Sequence, residues 1–176
     1  YFKLVSPEAL ITGKKVLDLG CGAGGKTTEL LKYRPEVIIG LDLSKRNIRY
    51  ARELINEKNN ILHFSSRDIL DFKNKNTFDS IVSYTVFEHI DKGMLRQILD
   101  KLHEILKPGG KLIIVYNHYN DRYGSHLKEY IYHPWPQALF EEDILFKYWN
   151  NKAKANRDKE RDSYYPRDYR QGKSTS

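Results

Sequence analysis

The sequence predicts an α/β domain with a doubly wound, mainly parallel sheet, and three observations carry that reading. Strand-like and helix-like segments alternate from about Lys14 to Tyr116. The second strand-like run is apolar on both faces, as a strand covered by helices on either side requires. Glycines 20, 22, 24 and 25 separate the first strand from the first helix, where an open parallel sheet brings backbone close to a ligand. A chain of 176 residues suits a single domain.

The elements follow in order. Lys15–Leu19 is the first strand, and Lys26–Tyr33 reads as the helix after the glycines. Val37–Asp42 is the second strand. Ser44 then caps a helix whose Ile48, Ala51, Leu54 and Ile55 recur at helical spacing. Asn60–Phe64 is a short third strand, Asn74–Thr77 a polar turn, and Phe78–Ser83 the fourth strand. Asp91 opens a helix with Leu95, Ile98, Leu99, Leu102, Ile105 and Leu106 on one face. Pro108-Gly109-Gly110 is expected to stop it, and Lys111–Tyr116 is the fifth strand. There is no internal repeat.

Composition shifts after that strand. Nine of the 13 tyrosines, both tryptophans, and His118, His126 and His133 lie from Tyr116 onward. Pro134-Trp135-Pro136 forbids a continuous helix there, and Glu141–Trp149 suits a short one. Beyond Asn150 the chain is polar and aperiodic. The expected organisation is a domain over 1–149, with 116–149 an aromatic-rich lid or interface, and a polar basic tail or linker over 150–176.

Charge and composition exclude several classes. The net +7 is uneven: the 27 residues from Asn150 carry eight Lys/Arg and four acids, whereas residues 1–149 carry 22 and 19. The body is close to balanced, which argues against nucleic acid as the partner. At 40% hydrophobic the chain can bury a core. Its single cysteine, Cys21, excludes an internal disulfide framework and suits a reducing, cytoplasmic setting. No apolar run approaches the roughly 18 residues of a membrane span. A chain that begins at Tyr1, with Met94 its one methionine, reads as an excerpt of a longer protein.

The chemistry concentrates in Val16-Leu-Asp18-Leu-Gly20-Cys21-Gly22-Ala-Gly24-Gly25. Gly20, Gly22 and Gly25 satisfy G-x-G-x-x-G, with Asp42 22 residues after Gly20. That pattern alone is the dinucleotide fingerprint, so an NAD-dependent oxidoreductase is one reading. Asp18 separates the alternatives. A carboxylate two residues before the first glycine repels a pyrophosphate and suits an ammonium group, or it caps the turn by accepting backbone N–H groups.

The run D-x-G-x-G-x-G resembles motif I of the Rossmann-like (class I) S-adenosylmethionine (SAM)-dependent methyltransferases. Later blocks are similar in order and spacing: Asp42 at the end of strand two, Asp68-Ile69 after strand three, Phe78–Tyr84 followed by Val86–Ile90, and Leu102–Leu112 with its L-K-P-G-G turn. Together they cover about residues 14–116. The resemblance implies strand order 3-2-1-4-5 and SAM as cofactor. It also implies cofactor contacts at Asp18, Gly20, Cys21, Gly22, Gly24, Asp42, Leu43, Asp68, Ile69 and Tyr84. Within that set Asp42 accepts from the ribose hydroxyls, and Asp68 and Ile69 lie by the adenine amino group and ring. Asp42 could instead cap the next helix, although Ser44 is better placed. Ser65-Ser66-Arg67 and Asp71 could shift the Asp68 alignment.

The acceptor side is less defined. His118 and Tyr119, at the exit of strand five, are the candidates for a base or acceptor clamp in methyl transfer to a small molecule. Gly124–Tyr130 and Pro134–Phe140 form the expected lid, with a homo-oligomer contact through 116–149 as the alternative. Glu88-His89 reads either as an acid–base pair or as a structural cap near Asp91. The three late histidines, eight and seven residues apart, fit no compact metal motif, so no metal is expected. A non-catalytic SAM-binding partner subunit remains a further reading. The family's fold ends in an antiparallel hairpin that residues 150–176 do not resemble, since Ser163–Tyr169 is broken by Pro166. Strand five is then an exposed edge, and the hairpin is expected downstream or from another chain.

Overall fold

The computed structural model describes residues 6–54 and 60–116, and, further on, 139–141, 143–145, 147, 148 and 151. The chain divides into two compact units, Tyr1–Tyr116 and Asn117–Ser176.

The first unit opens on α1 (Pro7–Ile11), which the alternation beginning near Lys14 does not include. Ser6 caps it by accepting the Ala9 N–H at 3.1 Å. Its Leu10 and Ile11 are buried, and the Leu10 carbonyl accepts the Ser80 hydroxyl at 2.6 Å. The remaining elements are β1 (Lys15–Leu19), α2 (Gly25–Glu29), β2 (Val37–Leu41), α3 (Lys45–Glu53), β3 (Leu62–Ser65), β4 (Phe78–Tyr84), α4 (Lys92–Ile105) and β5 (Leu106–Val115). The five strands form one sheet in the order β3-β2-β1-β4-β5, and every neighbouring pair is parallel. This is the α/β class and strand order expected above.

Both faces of the sheet's centre are covered, which is why β1 and β2 carry apolar residues on both sides. On one side Val16, Ile38, Leu62, Phe64 and Val82 pack with Leu10, Ile11, Leu30, Ile48 and Ala51. On the other, Leu17, Leu19, Leu41, Phe78 and Ile81 pack with Ile69, Ile98, Leu102 and Ile105. Val16 and Leu17 are adjacent, both fully buried, and belong to opposite cores.

Two elements differ from the sequence expectation. The helix over 26–33 is α-helical only to Glu29 and tightens into a 3-10 turn over Leu30–Tyr33. Arg34 then takes a left-handed conformation at φ 54°. Pro35 disfavours α geometry in the residue before it, and this is what ends the helix. The second difference lies between α4 and β5. The helix ends at Ile105, ahead of Pro108, and Leu106 already pairs with Phe78. Pro108-Gly109-Gly110 is a bulge inside β5: Phe78 faces Leu106 and Ser80 faces Lys111, so the extra residues loop out. Gly109, at φ 77°, makes the loop possible. The bulge also brings the Lys107 ammonium to Asp79 at 2.8 Å. The other Asp79 oxygen accepts the Lys15 N–H at 2.9 Å, tying β1 to β4.

The helix caps follow the sequence reading. Ser44 accepts the Asn47 N–H at the start of α3, and Asp91 accepts the Gly93 N–H at the start of α4. Helix α3 carries Lys45, Arg46, Arg49 and Arg52 against Glu53. It thus holds an excess as large as that of residues 1–149 together.

In the second unit, the Ile144 and Leu145 N–H groups both reach the Glu141 carbonyl, starting a helical turn with Leu145 buried. The candidates His118 and Tyr119, the other late histidines and the expected lid core at 117–138 lie outside the described residues. So does the tail from 152 onward.

Candidate cofactor site

The site is built at the carboxyl ends of the strands. Leu19 pairs with Leu41 on one side and with Ser83 on the other, so β1 and β2 end level and β4 runs one residue further, to Tyr84. Asp18, Asp42 and Tyr84 are thereby gathered around the glycine turn, at the crevice where open α/β sheets bind ligands. Asp68 follows the end of β3.

The backbone hydrogen bonds of the turn are mostly spent internally. The Gly20 and Cys21 N–H groups both donate to the Leu41 carbonyl at 2.7 and 3.0 Å, and the Gly24 N–H to the Cys21 carbonyl at 3.0 Å. The Gly22 N–H donates to Asp42 Oδ2 at 2.9 Å. Two glycines leave no room for a side chain. Gly20, at φ 74°, lies against Val86. Gly24, at φ 83°, would put a Cβ 2.7 Å from Phe64 Cζ and 2.9 Å from Ala51 Cβ. The close packing of turn, α3 and β3 therefore shapes a cradle that only glycine fits.

Asp18 is 3% exposed. Its hydrogen bond comes from the Thr27 hydroxyl on α2 at 2.6 Å, not from the turn N–H groups. Burial pushes its carboxyl up to about 6. The Thr27 hydroxyl and the Lys26 charge act in the opposite direction, and Asp42 adds to the rise. A carboxylate in this position is starved of positive charge.

Asp42 is half-buried. Its Oδ1 accepts the Ser44 N–H at 2.9 Å and the Asn47 side-chain amide at 3.3 Å. Capping α3 is thus left to Ser44, and Asp42 instead joins β2 to the glycine turn. A carboxylate offers about four lone-pair positions, so its three partners leave one open, and the Asn47 amide, the longest contact at 3.3 Å, is the one a second ligand hydroxyl would displace. Leu43 beside it is 73% exposed, an apolar side chain open to an incoming ring.

Asp68 caps the 3-10 turn Ile69–Asp71 through the Leu70 N–H at 3.0 Å. Ile69 is 5% exposed and packs in the core cluster with Leu17 and Leu41. Tyr84 closes β4, and the Lys26 ammonium lies 4.8 Å from its ring centroid. Cys21 is buried. Burial, followed by the Asp18 and Asp42 charges, pushes its thiol far up, which leaves it inert as a nucleophile. Glu88 and His89 fall in a 3-10 turn over Phe87–His89 just ahead of the Asp91 cap. Sequence reasoning missed Thr27, Lys26 and Val86, whose contacts arise only when α2 and the segment after β4 fold over the strand ends.

The donors and acceptors fit a nucleoside carrying an amino acid. The anionic Asp18 suits an ammonium, Asp42 a diol and Leu43 a flat ring. Comparisons with known proteins bear on the family of the chain. Residues 16–110 match the methyltransferase domain family. The mitochondrial ubiquinone biosynthesis O-methyltransferase of Dictyostelium discoideum is 29% identical over 157 residues, covering 76% of this chain and 48% of that protein. The sterol 24-C-methyltransferase erg6 of Aspergillus fumigatus is 34% identical over 56% of this chain and 26% of its own length. The chain spans at most about half the length of these relatives. The crystal structure of the PH0226 protein from Pyrococcus horikoshii superimposes with a TM-score of 0.53 at 34% identity, over 57% of this chain and 48% of that one. The sheet order, the glycine cradle flanked by Asp18 and Asp42, and a match over more than half of the sequence lead to one assignment: the chain belongs to the methyltransferase domain family, the SAM-dependent group of Rossmann-like fold that its sequence resembles.

Proposed function

We propose that the chain is the cofactor-binding core of an enzyme that transfers a methyl group from SAM to a small-molecule acceptor. The observation that carries this reading is Asp18, held in the dry end of β1 with one hydroxyl as its hydrogen-bond partner. A buried carboxylate there opposes a pyrophosphate and favours the cofactor's ammonium. The NAD-linked reading loses on that charge.

When bound, SAM would supply an activated methyl group, which an acceptor atom would take as the methyl–sulfur bond breaks and S-adenosylhomocysteine leaves. The residues of this chain hold and orient. Asp18 takes the ammonium, Asp42 the ribose hydroxyls, and the cradle at Gly20, Gly22 and Gly24 allows close approach. Leu43 and Ile69 flank the adenine ring, and Asp68 meets its amino group. Alignment and exclusion of water are the protein's main contributions to such a displacement. His118 and Tyr119 are assigned to the acceptor side, as base or clamp, and loss of turnover in His118→Ala is the corresponding test.

The relatives are named for methylation at oxygen and at carbon, so the shared core does not select the acceptor atom. We assign that selection to 116–149, whose aromatic content also suits self-association. Among the described residues no helix is long and apolar enough to cross a membrane. The single cysteine supports a cytoplasmic setting. Titration calorimetry on the full chain with SAM and with NAD tests the reading: SAM binds and NAD does not. Binding of NAD alone overturns it. Release of S-adenosylhomocysteine in a screen of small acceptors then separates an enzyme from a non-catalytic SAM-binding subunit.

A further inference from the structure

The cofactor proposed above ends in an α-amino acid, whose ammonium and carboxylate share one carbon. A site that binds the ammonium at Asp18 must also meet the carboxylate a few ångströms away. In the glycine turn the Gly20, Cys21, Gly22 and Gly24 N–H groups already have acceptors within the protein. The second anion needs another partner.

Lys26 stands where that partner is required. It lies next in sequence to Thr27, whose hydroxyl binds Asp18, so α2 brings it back to the carboxyl end of β1. Asp18 pairs with Val82 and Leu19 with Ser83, which puts Tyr84 one residue beyond the level of Leu19. The Lys26 ammonium sits over that ring, 4.8 Å from the centroid. Its stem therefore spans from α2 to β4 across the strand end that holds Asp18, and its charge acts on the Asp18 carboxylate. None of the ion pairs among the described residues involves Lys26. A ring face holds an ammonium in place by its quadrupole while leaving N–H donors for a second partner.

We infer that Lys26 binds the carboxylate of the cofactor's amino-acid end, and that Lys26 over Tyr84 together with Asp18 reads that end as a zwitterion. This assignment rests on the SAM reading above and adds a selectivity to it. The site distinguishes SAM from an analogue that keeps the sulfonium, the ammonium and the nucleoside but lacks the carboxylate.

Titration calorimetry with SAM, S-adenosylhomocysteine and decarboxylated SAM tests it on the full chain, comparing wild type with Lys26→Met and Lys26→Arg. Methionine keeps most of the stem's bulk and removes the charge; arginine keeps the charge. A charge-assisted hydrogen bond at an exposed position predicts about a tenfold loss for SAM and S-adenosylhomocysteine in Lys26→Met. Affinity for decarboxylated SAM stays within about twofold of wild type, and Lys26→Arg restores most of the loss. If Lys26 served only to balance Asp18, all three ligands would weaken together, and that outcome overturns the proposal. Unchanged SAM affinity in Lys26→Met overturns it as well. A wild-type chain that binds none of the three would instead refute the SAM reading beneath it.

Discussion

Replacing Asp18 by asparagine should stabilise the fold while destroying the site. The amide has nearly the shape of the carboxylate and keeps an oxygen for the Thr27 hydroxyl, now 2.6 Å from Asp18 Oδ2. What it removes is a charge on a side chain 3% exposed. The Asp18 carboxyl is raised from 3.8 to about 6, chiefly by burial. Between these values the folded chain holds more protons than the unfolded one, so stability falls as pH rises from about 4 to about 6 and then levels. At about 1.4 kcal/mol per pKa unit, the shift corresponds to a penalty on the order of 3 kcal/mol above pH 7. Asp18→Asn should therefore unfold at higher urea than wild type at pH 7.5, and the difference should shrink to near zero at pH 4. The same variant should lose SAM affinity by an order of magnitude or more, because no charge remains to meet the ammonium. Urea titrations at four or five pH values give the first curve and calorimetry the second. A stability difference between the two proteins that does not vary with pH would refute the burial argument. Such a trade of stability for a charged group in a cleft is what a binding site leaves behind.

Other consequences are as direct. Gly24→Ala combines a left-handed backbone with close contacts to Phe64 and Ala51, and should cost about 2–5 kcal/mol. Gly25→Ala, with nothing within 4 Å of its Cβ and a place at the start of α2, should be neutral or stabilising by up to about 1 kcal/mol; comparing the two urea midpoints checks the cradle. Asp42→Asn should reduce SAM affinity about tenfold or more in calorimetry, since one amide oxygen cannot replace two carboxylate oxygens already shared by Gly22, Ser44 and Asn47. Phe78→Ala empties a fully buried site beside Phe72 and should lower stability by about 3–5 kcal/mol in chemical unfolding. Partial burial works to raise Asp79, and the Lys107 ammonium and Lys15 N–H outweigh it, holding the carboxyl below its usual range. That bridge contributes above about pH 4 and is lost as pH falls, so the pH slope below 4 should flatten in Asp79→Asn.

Much of the first unit was legible in the sequence because its signals are local. Ser44 and Asp91 cap helices with their own side chains, and Val16-Leu17 alternates across the sheet at a period set by strand geometry. The glycines around Asp18 mark the turn because their conformations, Gly20 and Gly24 at positive φ, are demanded within the turn itself. Contacts between distant segments had no such trace. Nothing near Pro108-Gly109-Gly110 says that Leu106 has already entered the sheet, because the register is set by pairing with Phe78 on β4. The α1 segment is too short to show a period, and its place depends on burying Leu10 and Ile11 and on the bond from Ser80.

The site divides along the same line. Sequence alone determined which carboxylates and glycines stand at the strand ends, since Asp18 lies in the last two residues of β1 and Gly20 and Asp42 directly follow β1 and β2, and strand spacing counts residues. Tertiary structure decided what surrounds them. Burial and the Thr27 hydroxyl set the charge state of Asp18, Asp42 became the tie between β2 and the glycine turn, and Lys26 came to rest over Tyr84. These depend on distances across the sheet that a one-dimensional pattern does not encode. The physical reason is that desolvation and charge act through space, while motif spacing acts along the chain.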